Sequence, residues 1–503
     1  MHYPPTDNAS YAKTSMTLLK NGLLIDGSGT KPRPGDLWID GASLASTGPT
    51  DDVESIDCTG LAISPGFIDL HSHGDLQVLE GKHEKLKQGV TMEVVGNCGF
   101  SPFPHSGDTR ELHAFGAGIL GHPDGWGWKT ANAYLDSVAA QANIGVGSLA
   151  GHGSLRIAVA GPRQGPLSQP ELDRLCGLLA DSLDAGCAGF STGLMYAPGG
   201  SAPQDELVKL CEIVARKGKL YATHMRSYSK GLIAAVREQL DLAREAGCRL
   251  QISHLQAAGR ANWPLQQQAL DEIEAASASG IDVEFDIYPY QCGSTVLTQW
   301  LPQWALDGGT DALLTRLTDA ATRAQIKTEI AKAPQNAWSD ITISGLASDK
   351  NTHLIGTTIQ DADQALDILI EERAAVNVIS FNQSEGNLRQ LLTHPLCSII
   401  SDGFYVKGKP HPRLHGTFPE LLGNIVRDRQ WMPLEEAVHK ITSKPAARLK
   451  QKSQLTQGSP ADLTIFDPVT IASRATYENS QQDPVGIHYV IRQGKIVHKG
   501  IGA

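Results

Sequence analysis

The feature that most constrains this chain is an alternation that fills its middle. Short apolar strands recur, each followed by a polar turn and an amphipathic helix. Candidate strands lie at 63–70, 91–96, 144–149, 189–192, 220–223, 249–253, 283–288 and 398–401. Runs such as QPELDRLCGLLADSLDAG and DELVKLCEIVARKG carry their apolar residues on one helical face. Strands that alternate with helices predict a parallel sheet with the helices outside, and eight such units close a (β/α)8 barrel. A ninth candidate, 376–381, either replaces one of the eight or belongs to an insertion. The rhythm breaks at about 289–350, where an inserted subdomain near the barrel mouth is expected. Both ends of the chain read differently. Residues 16–64 and 455–503 are short strands and turns, including a hairpin at 490–497, and predict one small β domain built from both termini around a barrel at 65–454.

Ligand-type side chains follow the apolar strands. His71 and His73 follow PGFIDL, Cys98 follows MEVVGN, His224 follows LYAT, His254 follows LQIS and Asp402 follows CSIIS. In a parallel barrel all strand C-termini open on one face, so these six converge there. Imidazole and thiolate donors favour zinc. Residues two apart on a strand point to the same side, which lets His71 and His73 share one ion. His224 and His254 come from neighbouring strands, and Cys98 adds a thiolate that is either terminal or bridging. Asp402 beside the ion suits proton transfer to and from a reacting group.

Each of these residues also has a plain structural reading. A His-x-His pair alone is a weak metal signal, a single His after a strand is more often structural, an isolated Cys is more often a buried thiol, and Asp402 before Gly403 suits a turn. Joint placement at strand ends favours the metal. His152, in LAGHGSLR, suits orientation of substrate or a structural role equally. The Gly-rich run GAGILGHPDGWGW lacks the Gly-Lys-Ser/Thr of a phosphate loop and reads as a loop.

Bulk composition excludes more than it assigns. The formal net charge is −11, which argues against nucleic acid or an anionic membrane as partner. The polar N-terminus does not read as a secretory leader, and no apolar run is long enough to span a bilayer. Eight cysteines scattered through 503 residues suggest reduced thiols and a cytoplasmic protein.

The motifs PGFIDLHSHGD, GVTMEVVGNCGFSP, GFSTGLMYAPG, THMRSY, SHLQAAG, DIYPYQCGSTVL, SDG, HPRLHGTFPELLG, ITSKPAARLK and GSPADLTIFDP together resemble the N-acyl-D-amino-acid deacylases, or D-aminoacylases, of the amidohydrolase superfamily. The resemblance runs from about residue 16 to 500. It implies a distorted TIM (β/α)8 barrel, a small β-sandwich from both termini and a segment inserted over the site. It further implies a tight zinc on Cys98, His224 and His254, and a weaker second site on His71 and His73 with help from Cys98 and Asp402. Asp402 would be the general base and then the general acid. Arg413, Tyr288 and Ser294 would bind the substrate carboxylate, with Tyr196 and Gln256 also against substrate. Members that prefer acidic side chains often carry lysine two residues after the sixth-strand His, where this chain has Gln256. The substrate expected is therefore a small-molecule N-acyl-D-amino acid, or a dipeptide with a C-terminal D-residue, with a neutral side chain. Two rivals stand beside it. Cyclic-amide hydrolases of the dihydroorotase or hydantoinase type typically have a bridging lysine on the fourth strand, which GFSTGL lacks. A non-catalytic scaffold would be expected to have lost ligands, and all six are present.

Overall fold

The computed structural model describes residues 16–49, 53–81, 83–121, 125–332 and 335–500. The polar segment before residue 16, read above as no leader, lies outside them. Eight strands form the central sheet: β1 (Phe67–Asp69), β2 (Val90–Val95), β3 (Gly145–Gly151), β4 (Gly189–Gly193), β5 (Leu220–His224), β6 (Arg249–Ile252), β7 (Val283–Ile287) and β8 (Cys397–Ile399). Each pairs in parallel with the next. A parallel bridge between Ser72 and Gly403 brings the first and last strands together just above their ends. Helices such as Gln169–Asp184, Gln204–Arg216 and Leu232–Ala246 bury one face on this barrel and leave the other in water. Their spacing of Leu, Val and Ala at three and four residues supplies that face.

The stretch 63–70, expected as one strand, is two. Ala62–Pro65 belongs to the terminal sheet, and Phe67–Asp69 starts the barrel. Gly66 separates them. A Cβ there would lie 2.1 Å from the Thr91 hydroxyl, and its N–H donates to the Asp462 carbonyl at 2.8 Å. Only glycine lets the chain cross from one sheet to the other at that approach.

The terminal sheet also has eight strands, running Lys495–Lys499, Ile487–Arg492, Leu463–Phe466, Ala62–Pro65, Met16–Leu24, Arg33–Asp40 and Ser43–Ala45, with Glu54–Asp57 paired to Met16–Leu24 as well. It encloses its own core of Leu19, Leu24, Ile39, Ile63, Leu463 and Ile465. The ninth candidate strand lies outside the barrel. Val376–Phe381 is the centre of a three-stranded antiparallel sheet with Cys292–Val296 and Ile341–Leu346. This sheet has a separate core that includes Leu317, Ile343, Leu366 and Val378.

The reading of GAGILGHPDGWGW as a loop is corrected in part. Its first residues complete the helix Arg110–Leu120. Gly116 and Gly118 are there for close packing: a Cβ on Gly118 would meet Val296 Cγ1 at 2.3 Å. Residues 122–124 lie outside the described residues. None of the described helices is long and apolar enough to cross a membrane.

Candidate metal centre

All six ligand-type residues named from the sequence emerge at the C-terminal ends of barrel strands and meet on one buried face. Three overlapping groups have their ligand atoms within 4.8 Å of one another: His71, His73 and Cys98; Cys98, His224 and His254; and His71, His254 and Asp402. Cys98 Sγ lies 3.3 Å from His71 Nε2 and 3.6 Å from His254 Nε2. Asp402 Oδ1 lies 3.3 Å from His71 Nε2 and 3.2 Å from His73 Nε2. Cys98 thus sits between the two histidine pairs.

The local backbone is arranged for this convergence. Cys98, His254 and Asp402 have φ of 53°, 35° and 49°, a left-handed conformation that L-residues rarely adopt. Each is held by its neighbours. The Ser191 hydroxyl on β4 donates to the Gly96 carbonyl and accepts from Gly99 N–H at 2.9 Å, which clamps the Cys98 turn. The His254 N–H donates to Asp286 Oδ1 at 2.7 Å, and the Asp402 N–H donates to the His71 carbonyl at 2.8 Å. Lys85 Nζ donates to Asp69 and to the Ser401 hydroxyl, both at 2.5 Å, and fixes the ends of β1 and β8 from below.

The donor set fits a divalent cation. The Nδ1 atoms of His73, His224 and His254 are buried without hydrogen-bond partners among the described residues. Burial pushes His254 down to about 4 and holds His224 well below the usual imidazole range, so both rings are neutral donors. Burial also pushes the Cys98 thiol up. A pocket this dry keeps a thiol protonated unless a cation takes the thiolate. Asp402 behaves differently. Burial would raise it, but the Arg413 guanidinium and His71, with a hydrogen bond from His73, outweigh burial and hold its carboxyl well below the carboxylate range.

Arg413 is almost fully buried at 1% exposure, which makes a bound or paired anion necessary. Its Nη1 lies 2.9 Å from Asp402 Oδ2, its Nη2 donates to the Ser294 carbonyl at 3.2 Å, and its guanidinium lies 4.6 Å over the Tyr288 ring. Arg413 Nε has no hydrogen-bond partner among the described residues. Burial pushes the Tyr288 phenol up to about 12, so it remains a donor, and it reaches Gln256 Oε1 at 3.4 Å. The Ser294 hydroxyl donates to the Val378 carbonyl at 3.0 Å. Tyr196 packs on His224 with ring centroids 4.8 Å apart, and its hydroxyl shares a 3.1 Å hydrogen bond with Thr295. Tyr288, Ser294, Tyr196 and Gln256 line a cavity with His73, Cys98, His224, His254 and Asp402.

His152, which the sequence left open, has a structural partner, and so do Arg226 and Tyr228 of THMRSY. His152 pairs with buried Glu206 at 2.8 Å and meets the Phe190 ring edge-on. Burial keeps its ring neutral despite that bond. Arg226 pairs with Glu238 and donates to the Gly200 and Ala202 carbonyls. Tyr228 packs its ring against His224 and His254 and donates to the Ser253 carbonyl at 3.0 Å. Sequence reasoning missed Asp286 and His411. Asp286 lies 3.4 Å from His71 Nδ1 as well as holding the His254 backbone. His411 Nδ1 accepts from Arg413 N–H at 3.0 Å, while Nε2 meets the Cys292 carbonyl at 3.0 Å. Asp286 was visible only as a carboxylate inside an apolar strand, and His411 only as the first residue of HPRLHG.

A profile described as amidohydrolase family matches residues 54–498. The chain belongs to the amidohydrolase family. It is 33% identical over 487 residues to the D-aminoacylase of Alcaligenes xylosoxydans xylosoxydans, covering 95% of this chain and 93% of that one. It is 35% identical over 493 residues to the N-acyl-D-glutamate deacylase of the same organism, covering 95% and 92%. The N-acyl-D-glutamate deacylase of Bordetella bronchiseptica, solved with zinc and a phosphonate inhibitor that mimics the tetrahedral intermediate, superposes with a TM-score of 0.81 at 31% identity over 96% of both chains. As in other members of such barrel families, the site sits at the C-terminal mouth of the strands.

Proposed function

We propose that this amidohydrolase is a zinc-dependent N-acyl-D-amino-acid deacylase that cleaves the amide of a small N-acyl-D-amino acid with a neutral side chain. The observation that carries this reading is the juxtaposition of a His4CysAsp donor cluster with a buried, under-paired arginine, Arg413, whose Nη1 lies 2.9 Å from Asp402. Cys98, His224 and His254 would hold the tighter ion, and His71 and His73, with Cys98 and Asp402, a weaker second one. When bound, such an ion polarises the amide carbonyl and lowers the pKa of water toward neutrality.

The side chains supply the rest. Arg413 takes the substrate α-carboxylate, with Tyr288 as a second donor and Ser294 beside it. That anchor fixes the Cα and leaves the scissile amide facing Asp402. Asp402, held ionised, accepts a proton from the attacking water. It returns that proton to the nitrogen as the C–N bond breaks, and a carboxylic acid and a free D-amino acid leave. Chirality follows from one fixed carboxylate and one fixed carbonyl, which leave a single direction for the side chain. Near Tyr288 that direction is lined by amides: Gln256 Oε1 accepts from Asn382 Nδ2 at 3.1 Å, and Asn336 and Ser380 stand beside it. Among the described residues no lysine or arginine lines this cavity, so an acidic side chain would be left unpaired.

A stereochemically paired library of N-acyl amino acids, assayed with the zinc-loaded protein, tests the reading. Turnover of D but not L substrates, with neutral side chains above D-glutamate and D-aspartate, is the expected result. Absence of turnover on every N-acyl-D-amino acid would overturn it.

A further inference from the structure

We infer that the acyl half of the substrate is a medium-length apolar chain or an aryl group, housed in a second cavity that opens from the metal site; this rests on the deacylase reading above. The metal-site cavity is small, about 60 Å³. A neighbouring cavity of about 520 Å³ shares four of its walls, Ile119, Met195, Tyr196 and Gln299. Pockets of several hundred Å³ suit whole small ligands, so this space is large for an acetyl group.

Connectivity of the substrate decides which arm enters. The side chain of an amino acid is attached to the same carbon as its carboxylate, so it must lie close to Arg413 and Tyr288. The acyl chain begins on the far side of the scissile carbonyl. Neither Arg413 nor Tyr288 nor Ser294 lines the second cavity. It begins instead at Tyr196 and Met195, beside His224.

One side of the cavity is aromatic and aliphatic, while Arg110, Glu111, Asp311 and Arg373 line the other. Phe100 and Phe115 stack with centroids 4.4 Å apart, and Tyr196 meets Phe100 edge-on at 5.0 Å. Val296, Leu306 and Leu313 add aliphatic surface. The helix Arg110–Leu120 that carries Phe115 is locked to the inserted sheet by Asn377 Nδ2, which donates to the Gly118 carbonyl at 2.6 Å. Charged residues stand at the rim. Arg373 and Asp311 pair with each other at 2.5 Å and are 66% and 87% exposed. Among the described residues the two carboxylates on its lining, Glu111 and Asp311, are exposed to water and none is buried to receive the ammonium of an aminoacyl group, so a fatty or aryl acyl group fits better than a dipeptide.

Chain length is the test. Each methylene moved from water into such a cavity favours binding about three- to fourfold. For one neutral D-amino acid, kcat/KM of the zinc-loaded protein should rise at least about tenfold from the N-acetyl to the N-octanoyl derivative. Octanoate should also compete more strongly than acetate in a direct binding measurement. Ala117→Phe, which fills the cavity from the helix, should cut the octanoyl-to-acetyl ratio about tenfold. A flat or falling profile with N-acetyl substrates still cleaved, or a preference for L-alanyl dipeptides of the same D-residue, would overturn this inference and leave the deacylase reading standing. No turnover on any member of the series would overturn both.

Discussion

Asp402 faces two ways. One oxygen lies against His71 and His73, and the other lies 2.9 Å from Arg413. In the proposed mechanism this would put proton transfer and carboxylate recognition on adjacent atoms. Asp402→Asn keeps the shape and removes the charge. It should retain the tightly bound metal and lower kcat by roughly 10²- to 10⁴-fold, read by elemental analysis beside steady-state kinetics. Substantial residual turnover would refute the acid–base role. Cys98 tests the other half of the site. Cys98→Ala should reduce bound zinc in protein that still folds, because two histidines remain of the tighter donor set. Unchanged metal content would refute ligation. Arg413→Lys separates charge from geometry. The ammonium can still face Asp402 but cannot grip a carboxylate with two parallel N–H groups. KM should rise about tenfold or more while metal content stays constant.

At the level of elements, the strand ends do most of the positioning. Asp286, near the end of β7, receives the His254 N–H and the Gln251 amide and also lies against His71. It touches none of the reacting atoms in the proposed mechanism, so it is a positioning residue. Asp286→Asn should weaken metal affinity or activity about 10- to 100-fold, as removal of an outer partner of a ligating histidine does. A metal titration with kinetics at saturating metal distinguishes a loss of binding from a loss of turnover. The six ligand-type residues were legible in the sequence because a parallel barrel turns a one-dimensional pattern, a polar residue after an apolar strand, into a shared direction. Asp286 was not, because a buried carboxylate within an apolar strand carries no period that separates it from its neighbours. The insertion was read only in part for a similar reason. Val376–Phe381 looks like a barrel strand, and only pairing with Cys292–Val296 and Ile341–Leu346 reveals where it belongs. The helix Arg110–Leu120 was obscured by Gly116 and Gly118, which weaken helix propensity and exist for tertiary contact.

Over the whole molecule, strands from near both ends of the chain join the barrel at the start of β1. Leu463–Phe466 pairs with Ala62–Pro65, and one residue later the chain becomes β1. Phe67 packs on both Phe418 and Phe466, so barrel and terminal sheet share a seam. A second tie lies at the start of β6 and β7. Arg448, on the helix Ser443–Arg448, donates to Asp282 and to the Leu250 carbonyl, while Arg249 donates to Asp282 at 3.0 Å and to the carbonyls of Ala447 and Arg448. Burial would raise Asp282, but Arg448 and Arg249 outweigh it and hold its carboxyl below the ordinary value. A carboxyl lowered by folding stabilises the protein at all pH above its unfolded pKa, near 3.9, and loses that contribution as pH falls through the folded value. Asp282→Asn should therefore lower stability at neutral pH by about 1 kcal/mol, a modest figure because the carboxylate is half-exposed and screened. Thermal denaturation of the two proteins between neutral and strongly acid pH should show this gap closing only below the ordinary carboxylate range. A gap that stays constant across that range would mean that Asp282 acts through packing rather than charge.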